Sequence, residues 1–122
     1  MQNKKEYFHL LEQTIKWNAD RGNTPNTLDW KLEIAMLQEE LNELKSAKTD
    51  VDRLDALEDL KFVLTGSQGK MGLTPHQIVE CTSIVVEANK QKSTTKNSDG
   101  KITKPTDFIS PEPALQKILD RR

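Results

Sequence analysis

The sequence predicts an all-α protein: a four-helix-bundle-like protomer with an irregular basic C-terminal segment and a core completed by oligomerisation. Apolar residues recur at helical spacing over four long stretches. Glycine, proline and capping residues fall between those stretches. Only 34% of the 122 residues are hydrophobic while 30% are charged, so one copy has a thin core that a second copy can complete.

The first helix is expected from about Lys4 to Ala19, where Tyr7, Leu10, Leu11, Thr14, Ile15 and Trp17 recur at helical spacing. Gly22 and Asn23-Thr24-Pro25-Asn26 end it. Thr27 or Asp29 caps a second helix reaching about Ala47, with Leu32, Ala35, Met36, Leu37, Leu41 and Leu44 as its buried stripe. Thr49-Asp50 forms the turn and N-cap of a third helix ending near Thr65, which carries Leu54, Leu57, Leu60, Phe62, Val63 and Leu64. Gly66, Gly69 and Gly72 open the next connection. Thr74-Pro75 starts a fourth helix, hydroxyl at the N-cap and proline at N1, with Ile78, Val79, Ile84, Val85, Val86 and Ala88 leading toward Lys92. Ser93–Ser110 is polar, with Asn97-Ser98-Asp99-Gly100 as a turn and Pro105 holding Lys104 extended. A short helix over Pro111–Leu119 closes the chain. The whole reads as one domain, 1–122, of which about 93–122 is the basic loop and short helix.

Charge and cysteine content narrow the function. With 18 basic and 19 acidic residues the net charge is −1, which gives no global field to attract nucleic acid. The basic stretch is short and lacks interleaved aromatics, so a nucleic-acid partner is not expected. The distribution is uneven: acids dominate Glu33–Asp59, whereas Lys90, Lys92, Lys96, Lys101 and Lys104 face a single Asp99. Cys81 is the sole cysteine, which excludes an intrachain disulfide and a thiolate metal cage. Met1-Gln2-Asn3-Lys4-Lys5-Glu6 offers no apolar signal core and no run reaches membrane-spanning length, so no membrane association and a cytoplasmic setting are expected.

Two acidic clusters carry the chemistry. Glu39-Glu40-Leu41-Asn42-Glu43 lies on the second predicted helix and Asp55-Ala56-Leu57-Glu58-Asp59 on the third. Glu40 and Glu43 flank the apolar stripe about one turn apart, and Asp55 and Asp59 do the same on the next helix. A short connection makes the two helices antiparallel, so the four side chains can converge on a hard cation. All-oxygen ligation favours Mg²⁺, with Mn²⁺ as the alternative, over Zn²⁺. Against this stands the ordinary reading of a Glu-rich helix as a solvated, salt-bridged surface. Two matched clusters on consecutive helices leave the readings evenly weighed.

The order of motifs resembles the all-α nucleoside triphosphate pyrophosphohydrolases, the MazG-like superfamily that includes phosphoribosyl-ATP pyrophosphohydrolases. The residues are Glu39-Glu40-Leu41-Asn42-Glu43, Asp55-Ala56-Leu57-Glu58-Asp59-Leu60, Gly66, Asn89-Lys90-Gln91-Lys92 and Gly100-Lys101-Ile102-Thr103-Lys104-Pro105. Upstream, Trp17-Asn18-Ala19-Asp20-Arg21-Gly22 is similar to a segment of phage and bacterial members, so the likeness spans about Trp17 to Phe108. Members hold Mg²⁺ with an ExxE pair and an ExxD pair. The resemblance carries the first pair to Glu40 and Glu43 and the last acid to Asp59. Ala56 stands where the pattern has Glu, a departure that leaves Asp55, or less readily Glu58, as the fourth ligand.

The resemblance implies hydrolysis of a nucleoside triphosphate or phosphoribosyl nucleotide to monophosphate and pyrophosphate, often as nucleotide-pool house-cleaning. Glu39 is the candidate to orient or deprotonate water. Lys92, Lys101 and Lys104 are candidates for phosphate contacts, with Asn89 as a neutral hydrogen-bonding partner. Trp17 could stack on a base, although a tryptophan in a helical stripe is more often core or interface. Arg21 could reach a phosphate or simply complement a helix end. Expected partners are the nucleotide and the chain itself, as a homodimer or a dimer of dimers. The competing reading is a non-catalytic helical dimerisation or interaction module.

Overall fold

A computed structural model of the chain describes residues 4–122. Met1 to Asn3, part of the segment read as lacking a signal core, lie outside the described residues. The order of elements is α1 (Lys4–Asp20), a 3₁₀ turn (Pro25–Thr27), α2 (Trp30–Ser46), α3 (Asp50–Lys70), α4 (Pro75–Asn89) and α5 (Glu112–Asp120). The chain is all-α. Two units divide it, one ending at Pro75 and the other running His76–Arg122.

In the first unit, local chemistry sets each helix end. Gly22, at φ +77°, ends α1: its N–H donates to the Ala19 carbonyl and that of Asn23 to the Asn18 carbonyl, the paired bonds of a Schellman stop. Of the two caps expected for α2, Asp29 is used; its carboxylate accepts from the Lys31 N–H at 3.0 Å. Thr27 instead closes the 3₁₀ turn, its hydroxyl donating to the Thr24 carbonyl at 2.8 Å. The Thr49 hydroxyl caps α3 by accepting from the Asp52 N–H at 3.2 Å. Only Ala47, Lys48 and Thr49 separate α2 from α3, so the two helices return antiparallel and pack along their length.

Helix α3 runs past the expected end near Thr65 to Lys70. Gly66 and Gly69 are therefore helical and do not open the connection; Gly72, at φ +87°, makes the turn alone. The two helical glycines are there for proximity. A Cβ on Gly66 would meet the Asn18 amide at 3.1 Å, and one on Gly69 would meet Ile15 Cγ1 at 3.2 Å, so α1 crosses α3 closely.

The buried face of α2 also departs from expectation. Leu32 and Leu41 are exposed, and the most buried residue of the helix is Glu33, 1% exposed. Its carboxylate accepts from Lys70 Nζ at 3.0 and 3.2 Å and from the Ser67 hydroxyl at 3.0 Å. Lys70 is itself only 5% exposed. On α3, Leu54, Leu57, Phe62 and Leu64 are exposed, while Ala56 takes the buried position.

In the second unit, α4 stops at Asn89 rather than Lys92. The segment expected to be irregular contains a small antiparallel pairing, Lys96 with Ile102. The Asn97 side-chain oxygen accepts from the Asp99 and Lys101 N–H groups, and Gly100 takes φ +78°. Gln91 exchanges two hydrogen bonds with the Ile109 backbone. Arg121, the C-cap of α5, pairs with Glu80 of α4 at 2.9 Å.

The buried ion pair generates the first prediction. Lys70→Met leaves the Glu33 charge buried and uncompensated, so the urea midpoint should fall by the equivalent of about 3–5 kcal/mol. Adding Glu33→Leu should restore most of that loss, because an apolar pair of similar volume replaces both charges. Equal midpoints for wild type and Lys70→Met would show that the pair does not hold the two helices.

Candidate metal centre

The antiparallel register fixed by Glu33 and Ser67 has a consequence two turns away. Seven residues along α2 from Glu33 lies Glu40; eight residues back along α3 from Ser67 lies Asp59. The first step returns within about 20° of the same helical direction and the second within about 80°, so both stay on the side that faces the partner helix. Glu40, Glu43 and Asp59 accordingly each present a carboxylate oxygen within 4.8 Å of the others. Of these residues Glu43 is exposed, and Glu40 and Asp59 are half-buried.

Electrostatics mark Glu40 as the strained member. Its Oε2 is shut off from solvent and has no hydrogen-bond partner among the described residues. Burial raises its pKa above the ordinary 4.5, and the charges of Glu43 and Asp59, a hydrogen bond with Glu43 and the charge of Glu39 raise it further. Among the described residues no lysine or arginine pairs with any of the three carboxylates, whereas Glu33 on the same seam has Lys70. An orphaned, desolvated oxygen inside a ring of three carboxylates matches the donor set of a hard divalent cation.

The other predicted residues fall in different places. Asp55 is exposed and outside this group; Glu58 is exposed and paired with Lys61 at 3.3 Å. Ala56, the departure from the ExxD pattern, sits on the buried face one turn before Asp59, 3% exposed. Glu39 lies on the solvent side of α2. Arg21 is stacked over the Trp17 ring at 4.1 Å and donates to the Trp17 carbonyl at 3.0 Å. Trp17 meets Phe62 edge-on, with centroids 5.1 Å apart. Asn89, Lys92, Lys101 and Lys104 belong to the second unit. Asn89 donates to the Val85 carbonyl at 2.8 Å, and Lys104 Nζ lies 5.1 Å from the Phe108 ring centroid.

Sequence reasoning overlooked Glu33, Ser67 and Lys70, and with them the cleft beside Trp17. The signal was available. Glu33, Leu37, Glu40 and Leu44 follow one another at steps of four, three and four, so Glu33 shares the stripe that was read as apolar.

A family model for phosphoribosyl-ATP pyrophosphohydrolase matches residues 5–83. The chain belongs to that family. The match spans α1 to α3 and most of α4, including all three clustered carboxylates, and ends before Asn89 and the lysines that follow. No curated protein matches the chain. Membership gives it a pyrophosphohydrolase fold and reaction class. Among the described residues no helix is long and apolar enough to cross a membrane.

Two predictions follow from the crowded carboxylates. In chelator-treated protein Glu40 keeps its proton more tightly when folded than when unfolded, so the native state binds more protons around that pKa. Its stabilising contribution is full below pH 4.5 and is lost as pH rises through the raised value. Glu40→Gln should therefore melt higher than wild type at pH 7.5 without metal, and the difference should vanish at pH 4. Adding millimolar Mg²⁺ or Mn²⁺ should raise the melting temperature of wild type and leave that of Glu40→Gln unmoved. Equal metal responses in the two proteins would exclude Glu40 as a ligand.

Proposed function

We propose that the chain is a Mg²⁺-dependent nucleotide pyrophosphohydrolase, with Mn²⁺ as an alternative ion, that releases pyrophosphate and a monophosphate from a nucleoside triphosphate or phosphoribosyl nucleotide. The observation that carries the reading is the orphaned Glu40 oxygen inside the Glu40–Glu43–Asp59 group, on helices matched by the family model. In this reading those three carboxylates form the inner ligand set, and Asp55 stands at its outer edge. A divalent cation bound there neutralises phosphate oxygens, withdraws charge from phosphorus and acidifies coordinated water. Glu39, free of the cluster and adjacent to Glu40, orients the attacking water and accepts its proton. Lys92, Lys101 and Lys104 donate to phosphate oxygens as point charges, with Asn89 as a neutral donor. Arg21 and Trp17 complete the substrate side.

Self-association belongs to the same proposal. Leu41, Leu54, Leu57 and Leu64 remain exposed on the two helices that carry the site, more apolar surface on neighbouring elements than isolated leucines account for. A homodimer or dimer of dimers would cover it. Cytoplasmic nucleotide-pool house-cleaning is the biological role proposed with it.

The test is pyrophosphate release across a panel of ribo- and deoxyribonucleoside triphosphates and phosphoribosyl-ATP, with and without Mg²⁺. At least one member should turn over only with metal. Glu40→Gln and Asp59→Asn should each lower kcat/KM by on the order of 100-fold or more, as expected when a metal ligand or its support is lost. Lys101→Ala should raise KM more than it lowers kcat. Folded protein that binds Mg²⁺ yet turns over nothing in the panel would favour the non-catalytic interaction module.

A further inference from the structure

Helices α2 and α3 form a hairpin tied at two places. One tie is covalent: Ala47, Lys48 and Thr49 join the helices. The other is the Glu33–Lys70 pair at the open end, where Glu33 falls in the first turn of α2 and Lys70 in the last turn of α3. Each charge sits at the helix end whose dipole favours it. The carboxylate cluster lies between the ties. Glu40 stands seven residues after Glu33 and seven before Ala47, while Asp59 stands ten after Thr49 and eleven before Lys70. Each tie is therefore roughly 10–17 Å from the cluster along the helices.

Apolar packing does little to line the two helices up. Among the described residues Ala56 is the one apolar side chain buried on either helix; the other buried positions are Glu33, Gly66, Ser67 and Lys70. A methyl group offers no ridge against sliding, whereas directional bonds do. Lys70 Nζ reaches both Glu33 oxygens, and the Ser67 hydroxyl, one turn earlier on α3, donates to one of them. The cluster, in turn, tolerates little sliding. Glu40 and Glu43 come from α2 and Asp59 from α3, with their oxygens within 4.8 Å of one another. Bonds to a hard divalent ion hold to about 0.2 Å, so a slip of about 1 Å between the helices takes Asp59 out of the set.

We infer that Glu33, Lys70 and Ser67 are positioning residues for the carboxylate cluster: their bonds at the open end of the hairpin hold Asp59 opposite Glu40 and Glu43 and so set the affinity of the site for a divalent cation. The inference rests on the proposed pyrophosphohydrolase reading. It separates what the pair does for the native site from what it does for stability.

Mn²⁺ titration of the full chain, followed by the EPR signal of the free ion, tests it. The Glu33→Leu/Lys70→Met protein keeps the volume of the pair but replaces directional bonds with apolar contact. Its dissociation constant for Mn²⁺, measured on folded protein, should rise by roughly 10-fold or more. Ser67→Ala, which keeps both charges, should raise it by about twofold or more. Leu11→Ala, a truncation of a buried residue on α1, should lower the urea midpoint and leave the constant at its wild-type value. Wild-type constants in the folded double variant and in Ser67→Ala overturn the inference, as does an equal rise in Leu11→Ala. If the double variant does not fold, Ser67→Ala decides alone. Wild-type protein that binds no Mn²⁺ removes the proposed metal site and this inference with it. Wild-type binding with unchanged variants removes the positioning role and keeps the site.

Discussion

Everything at the centre of this protein depends on how α2 and α3 are held in register, and one buried interaction sets it. Glu33, Lys70 and Ser67 form an ion pair and a hydrogen bond in a place where neither charge has water to fall back on. A slip of one residue would separate the ammonium from the carboxylate and leave both unmatched. A slip of one residue would also turn Glu40 and Asp59 away from each other, because a single step rotates a helical side chain by roughly 100°. The charge pair therefore specifies the geometry of the carboxylate cluster from about 10 Å away. Its value lies in selecting one alignment among several that leucines alone would tolerate.

The seam meets the same electrostatic problem twice and answers it differently. At one end a buried carboxylate is matched by a lysine from the facing helix, so the charge is satisfied permanently. At the other, three carboxylates converge with no lysine or arginine among the described residues to match them, and the innermost oxygen lacks any partner. Protonation can relieve the second arrangement, and the upward shift at Glu40 is that relief expressed as a pKa. An exchangeable cation relieves it better at neutral pH. On the proposed reading, a cation held at the second place ties the precision of the reactive end to the stability that the lysine supplies at the first.

Much of this was legible from residue order. Helical spacing and punctuation gave the all-α class, and the three-to-four spacing of acids gave the residues that the fold then gathers. Three things were not legible, each for a physical reason. Gly66 and Gly69 read as breakers because glycine usually is one, whereas here the missing Cβ admits α1 against α3. Leu41, Leu54 and Leu57 read as core because leucine usually is buried, whereas the single chain leaves them exposed. Glu33 is missing from the expected core because an isolated acid is costly to bury; its partner lies 37 residues away, beyond the reach of any local pattern. The fourth ligand stays open, since an i, i+4 spacing aligns Asp55 with Asp59 along the helix while the clustered oxygens are those of Glu40, Glu43 and Asp59.

Ala56 shows what that departure does to the site. It occupies the buried position one turn before Asp59 on the face that meets α2. A carboxylate there would add a fourth negative charge to a seam whose existing three are already strained. Alanine lowers the charge that the protein itself brings to a cation, and ligand charge count is one of the quantities that tunes affinity for hard divalent ions. On the proposed reading, phosphate oxygens of the nucleotide then supply part of the coordination that a fourth acid would have supplied. Metal and nucleotide binding become mutually dependent, because each provides charge that the other needs.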